Sequence, residues 1–253
     1  MAGLEVKDVT MEFGGLIALQ GLTFDVAENE IVALIGPNGA GKTTAFNVIT
    51  GFLSPTHGRV VYNGKNIVGL SAHQIASKGL IRTFQKTNVF SSVSVFEGIM
   101  IGRHSRTKSG FLNIFFNTKA VQLEEQNNKD EVEGILQFVG LCHRKHELAR
   151  SLPSGEQRLL EIGVALAAEP KLLLLDEPAT GMNPSEKDRI LKLIRAIQSR
   201  GITILLVEHD MSLVMGISDR IVVLNYGKKI ADGKPEMIQR NQEVAEAYLG
   251  SES

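Results

Sequence analysis

The chain has 253 residues, 43% apolar and 22% charged, the balance of a soluble globular protein whose core needs no staple. Lys and Arg total 27 against 28 for Asp and Glu, a formal charge of −1, which excludes the basic excess of a general nucleic-acid binder. The single cysteine, Cys142, excludes an internal disulfide framework. The first residues lack a secretory-signal pattern, and apolar stretches such as Leu172–Leu175 and Ile204–Val207 fall far short of the roughly 20 residues of a membrane span. Composition alone thus predicts a soluble cytosolic protein.

In chain order, Leu4–Val9 and Leu22–Val26 alternate with the period of a strand, and Ile31–Ile35 is a compact apolar run. A glycine-rich stretch, Gly36–Gly41, then leads into a predicted helix over Lys42–Ile49 that Gly51 stops. Val60–Tyr62 followed by Asn63-Gly64 predicts a short strand and turn, and Leu80–Phe84 a further strand. From about Val93 to Arg150 the pattern is helical and polar; Val132, Ile135, Leu136 and Val139 lie at helical spacing. Strand and helix alternate afterwards: helix near Glu156–Ala168, strand Leu172–Leu175, helix Ser185–Arg200 and strand Ile202–Val207. A short helix, strand Ile221–Leu224, a turn at Tyr226-Gly227 and strand Lys228–Ala231 follow. This alternation predicts an α/β fold with a parallel, doubly wound sheet, interrupted by a helical insertion.

Two motifs carry chemistry. Gly36-Pro37-Asn38-Gly39-Ala40-Gly41-Lys42-Thr43 matches the phosphate-binding loop G-x-x-x-x-G-K-[ST] and sits where an apolar strand meets a helix. Glycines let backbone N–H groups converge on phosphate oxygens, and the helix points its positive end at them. Lys42 is placed to neutralise the β- and γ-phosphates, and the Thr43 hydroxyl to hold Mg²⁺. Pro37, Asn38, Gly39, Ala40 and Thr44 complete the expected cradle. The second motif is the apolar strand Leu172–Leu175 ending in Asp176-Glu177. Ligands of open α/β sheets bind at the carboxyl ends of strands, so both acids face the phosphate loop. Asp176 is expected to coordinate Mg²⁺, and Glu177 to orient and deprotonate the water that attacks the γ-phosphate.

Five elements in fixed order resemble the ATP-binding cassette (ABC) ATPases. They are the phosphate loop, Gln85, the segment Leu152-Pro153-Ser154-Gly155-Glu156-Gln157, the strand ending Asp176-Glu177, and His209. The resemblance covers essentially the whole chain. It implies a P-loop core of the RecA-like type over residues 1–85 and 157–253, with an N-terminal antiparallel β region. A helical subdomain over residues 86–156 carries the signature. It also implies roles: Phe13 stacks on adenine, Gln85 touches Mg²⁺ and the attacking water, and His209 contacts the γ-phosphate. Ser154, Gly155 and Glu156 close over ATP from an opposing subunit. The signature departs from the family's Leu-Ser-Gly-Gly-Gln at Pro153, Ser154 and Glu156. Proline has neither hydroxyl nor N–H, so Pro153 cannot donate to a phosphate.

A narrower similarity is to the branched-chain amino-acid uptake ATPases of the LivG type. It rests on Arg82-Thr83-Phe84-Gln85, the insertion around Ile101–Gln126, Gly181-Met182-Asn183-Pro184, and the ending Ala231-Asp232-Gly233-Lys234-Pro235 with Ala247-Tyr248-Leu249-Gly250. Cassettes for urea or lipopolysaccharide transport share the tail; the insertion weighs against the lipopolysaccharide type. The resemblance implies ATP and Mg²⁺ as ligands and a second cassette, identical or not, as partner. It further implies two transmembrane permease subunits, an external solute-binding protein, and a place at the cytoplasmic face of the membrane. Nucleic acid is not expected as a partner. A two-cassette chain or sustained heptads would mark a nucleic-acid-linked relative, and Asn127-Asn128-Lys129-Asp130 misses the guanine motif Asn-Lys-x-Asp. Within the insertion, the basic run Arg103–Lys108 and the apolar run Phe111–Phe116 are candidates for a membrane-facing flank, against the alternative of a helix packing on its own subdomain.

Overall fold

A computed structural model describes residues 2–83, 92–104 and 119–249. Among these the chain forms two compact units: Met1–Arg82 with Lys171–Pro178 and Lys187–Ser253, and Thr83–Pro170 with Ala179–Glu186.

The first unit holds two sheets. In one, β1 (Ala2–Phe13) pairs antiparallel with β2 (Leu16–Ala27) and β4 (His57–Tyr62), and β4 with the two-residue β5 (Lys65–Asn66). The expected strands Leu4–Val9 and Leu22–Val26 lie within β1 and β2 with alternate residues buried, and the pairing continues past them across register shifts. The other sheet has the order β10-β9-β3-β8-β7-β6, made of β3 (Ile31–Ile35), β6 (Leu80–Arg82), β7 (Leu172–Asp176), β8 (Thr203–Val207), β9 (Arg220–Asn225) and β10 (Lys228–Gly233). All its ladders are parallel except that of the edge strand β10. Every residue of β3, β7 and β8 is buried, which is why they read as unbroken apolar runs rather than alternating ones.

Helix α1 (Lys42–Ile49) follows β3 and buries Phe46 completely. One core cluster joins Leu4, Val6 and Val60 of the antiparallel sheet, Leu34 and Leu174 of the parallel sheet, and Phe46. Helix α2 (Ala72–Ser77) starts with a capping box, the Ser71 hydroxyl accepting from the Gln74 N–H and the Gln74 side chain accepting from the Ser71 N–H. β6 covers the first half of the expected strand Leu80–Phe84; Phe84 lies outside the described residues.

The second unit is helical: α3 (Val95–His104), α4 (Lys119–Val139) and α5 (Ser154–Ala167) pack on one another. Val132, Leu136 and Val139 are buried, as their spacing predicts. The unit runs past the expected limit of residue 156 to Pro170, because α5 turns Leu159, Leu160, Ile162 and Ala167 into this core. Arg103, the first residue of the basic run, pairs with Glu169 and donates to Asn128 Oδ1 at 3.1 Å, a contact within its own unit that accords with the alternative of packing on this subdomain. Residues 105–118, with the rest of the basic run after His104 and the whole of Phe111–Phe116, lie outside the described residues.

From Lys187 α6 (Pro184–Ser199) belongs to the first unit, turning Ile190, Leu193, Ile194 and Ile197 inward. Helices α7 (Met211–Ile217), α8 (Pro235–Gln239) and α9 (Gln242–Leu249) complete that unit. None of the described helices is long and apolar enough to cross a membrane.

Helices α3 and α5 cross closely at glycines. A Cβ on Gly102 would lie 2.4 Å from the Val164 carbonyl oxygen and 3.2 Å from Ala167 Cβ. Gly102→Val should therefore cost about 1–3 kcal/mol, read as a lower urea midpoint. Gly134→Ala is the control, since its Cβ meets nothing within 4 Å. It should be neutral or raise stability by up to about 1 kcal/mol.

Candidate functional site

The loop Gly36–Gly41 leaves the end of β3 and delivers Lys42 as the first residue of α1. Helix α1 is capped by Gly41, with no side-chain cap, so its first N–H groups and positive end face the cleft. The loop is tacked down from outside. Ala40 O accepts from Gly227 N at 3.0 Å, and Gly227 O accepts from Gln20 N at 2.9 Å, so the β9–β10 turn stitches the loop to β2. The Lys42 ammonium lies inside the loop's curve, donating to Gly36 O at 2.6 Å and Pro37 O at 2.8 Å. Burial pushes the pKa of Lys42 below its usual range, and the nearby Glu177 carboxylate opposes that shift.

A cleft of about 370 Å³ opens over this loop, lined by Asn38 through Thr44 and Glu177, and by Leu16, Ile17 and Tyr226. Its size falls in the roughly 300–1,000 Å³ range of small-molecule sites.

The acidic strand end arrives by register. Asp176 pairs with Val207, and Leu34 with that same Val207, so β7, β8 and β3 finish level. Glu177 N donates to Val207 O at 2.9 Å. Glu177 has a φ of 48°, a left-handed conformation costing a non-glycine residue about 1–2 kcal/mol. Strain of this kind gathers at functional sites.

Asp176 is 4% exposed. Its Oδ2 accepts from Arg82 NH2 at 2.6 Å, while Arg82 NH1 donates to Asn47 Oδ1 on α1 at 2.7 Å. The Arg82 guanidinium also lies over the Phe46 ring, 5.5 Å from its centre. A cation in the otherwise apolar Leu80-Ile81-Arg82 was the available signal for this pairing.

Of the remaining candidates, Phe13 is 43% exposed at the end of β1 and does not line the cleft; Leu16, Ile17 and Tyr226 do. His209 follows β8 with its ring exposed and its backbone N–H donating to Glu208 Oε2 at 3.1 Å. The Glu208 side chain is wholly buried. Gln85 lies outside the described residues. In the helical unit, Pro153 caps α5, Ser154 is exposed and Gly155 buried. Glu156 pairs with Arg144 at 3.0 Å and His143 at 3.4 Å. The described part of the predicted site thus divides between a phosphate-loop cluster in the first unit and a helix start in the second.

A strand–glycine loop–helix cradle at the carboxyl ends of a mostly parallel sheet, with Glu177 lining the cleft over the loop, defines a P-loop nucleotide-binding domain. Known proteins narrow the class. Residues 19–180 match the family described as "ABC transporter", and residues 228–253 the family described as "Branched-chain amino acid ATP-binding cassette transporter". The chain is 44% identical to the high-affinity branched-chain amino acid transport ATP-binding protein BraF of Pseudomonas aeruginosa over 98% of its length and 97% of the relative's. It is 42% identical to the corresponding LivG of Escherichia coli, with the same coverage. A solved ATP-binding cassette of an ABC transporter in its ADP conformation superposes with a TM-score of 0.86 at 30% identity, covering 99% of both chains. The chain belongs to the ABC transporter family, as one of its ATP-binding ATPase cassettes.

A Cβ on Gly41, whose φ is +103°, would meet Ala18 O at 2.7 Å and Leu19 Cδ2 at 2.9 Å. Gly41→Ala should therefore displace the loop from β2 and weaken ATP binding by at least about tenfold, a loss of roughly 1.4 kcal/mol by equilibrium dialysis. Thermal stability should fall less than binding does.

Proposed function

We propose that the chain hydrolyses ATP to drive uptake of branched-chain amino acids. It acts at the cytoplasmic face of a membrane, beneath two permease subunits supplied by an external solute-binding protein, and works as one of two facing cassettes. The observation that carries the solute reading is the match of the tail, residues 228–253, to a branched-chain amino acid cassette family, supported by the names of the relatives above.

Phosphates fit the loop's backbone N–H groups and the positive end of α1. Lys42 gives up the carbonyls of Gly36 and Pro37 to meet the β- and γ-phosphate oxygens. Gly36, Pro37, Asn38, Gly39, Ala40, Gly41 and Thr44 shape the cradle, and Phe13, outside the cleft's lining but paired in register with the cleft-lining Leu16, is assigned to the adenine.

Thr43 and Asp176, joined by Gln85, are the residues that would hold Mg²⁺. One hydroxyl and one carboxylate suit a hard cation that takes its other ligands from phosphates and water. When bound, the ion supplies charge neutralisation on the phosphates.

Glu177 accepts a proton from water as the water oxygen bonds to the γ-phosphorus and the bond to the ADP oxygen breaks. His209 donates to the departing phosphate. The second half of the site comes from the opposing cassette. There Ser154 Oγ and Gly155 N–H take over the donation that Pro153 lacks, and Glu156 holds the turn through Arg144.

Glu177→Gln removes the base while keeping shape and cleft. It should bind ATP within about twofold of wild type and lose turnover by 10²–10⁴-fold, measured as phosphate release. Turnover within threefold of wild type would refute the base assignment.

A further inference from the structure

Arg82 ends β6 with its side chain only 13% exposed, facing a carboxylate that is 3% exposed. Removing two charges from water is costly, and a buried ion pair can often be replaced by apolar groups without loss of stability. Stability alone does not call for this pair, so what it holds matters.

The guanidinium grips two elements at once: Asp176 on β7 at 2.6 Å and Asn47 on α1 at 2.7 Å. Its face lies over Phe46, whose side chain is fully buried, which leaves the fork little freedom to turn. Asn47 stands four residues after Thr43 on α1, hence on the same face of that helix one turn along. The planar fork therefore ties the Asp176 carboxylate to the helix face that presents the Thr43 hydroxyl. Lysine, a single point charge on a flexible stem, cannot hold two acceptors in that fixed geometry.

We infer that Arg82 is a positioning residue that locks Asp176 against the Thr43 face of α1 and so sets the Mg²⁺ affinity of the nucleotide site. The inference rests on the reading that Thr43 and Asp176 hold the ion. Arg82 itself touches neither nucleotide nor metal. It works by fixing one donor relative to the other before either is used.

The test uses the full chain with ADP and follows binding rather than turnover. Mg²⁺ is titrated against the melting temperature at saturating ADP, and ADP affinity is measured separately in EDTA. Arg82→Gln should leave ADP binding in EDTA within about twofold of wild type and raise the half-saturating Mg²⁺ about tenfold, the usual loss for an outer-shell partner. Arg82→Lys and Asn47→Ala should raise it less. Half-saturation at or below the wild-type value in Arg82→Gln would overturn the inference. So would an equal loss of ADP affinity in EDTA, which would mark a general structural role. If Arg82→Gln fails to fold, Asn47→Ala decides, because it keeps the ion pair; no rise there overturns the proposal. Asp176→Asn separates the two layers. If it raises the Mg²⁺ requirement and the Arg82 and Asn47 variants do not, only the role of Arg82 fails. If it leaves that requirement unchanged, the metal assignment itself falls.

Discussion

Parallel register is the constraint on which the site depends. Leu34 and Asp176 both align with Val207, so β3, β8 and β7 end at one level. The residues that follow are the phosphate loop after β3, Glu177 after β7 and His209 after β8. A slip of one residue would turn every side chain of a strand to the opposite face and move its terminal acid away from the loop. Strands buried on both faces resist such a slip, because any shift alters packing against both layers. The buried strands Ile31–Ile35, Leu172–Asp176 and Thr203–Val207 therefore set where the loop, Glu177 and His209 stand.

Around that frame, local order is given up for function. Lys42 is partly desolvated beside two carbonyls, Asp176 is a buried carboxylate needing Arg82, and Glu177 sits in a left-handed conformation. Each is unfavourable alone. Each is held by several contacts: the Gly227 stitch behind the loop, the Arg82 fork between two elements, and the hydrogen bond from Glu177 N to Val207 O. The cleft is thus shaped by contacts from the elements around it.

The core was legible where composition and spacing agreed. Ile31–Ile35 and Lys42–Ile49 form the strand and helix that the sequence predicts to the residue, because an apolar run, a glycine loop and a helix-forming stretch follow one another without ambiguity. Helices α2, α8 and α9 and strand β5 were not legible: at two to eight residues they carry too little periodicity to stand out. Arg82 drew attention only within a motif, since its partners Asn47 and Asp176 lie 35 and 94 residues away. The φ of Glu177 and the wall of Leu16, Ile17 and Tyr226 arise from tertiary packing, which local pattern does not encode. The helical unit extends past residue 156 for a related reason: α5 begins at Ser154, within the segment that resembles the signature, and runs on into the unit formed with the helices before it.

The strand ends and the glycine loop are proposed to form one ATP site, with Asp176 held by Arg82. A crystal structure of the chain with ADP and Mg²⁺ tests it most directly. The diphosphate should lie in the Gly36–Thr44 cradle, with Lys42 moved from its carbonyls to the phosphates. The ion should lie by Thr43 and Asp176, with the Arg82–Asp176 pair intact. A nucleotide bound elsewhere, or an ion with Asp176 turned away from it, would rule this site out.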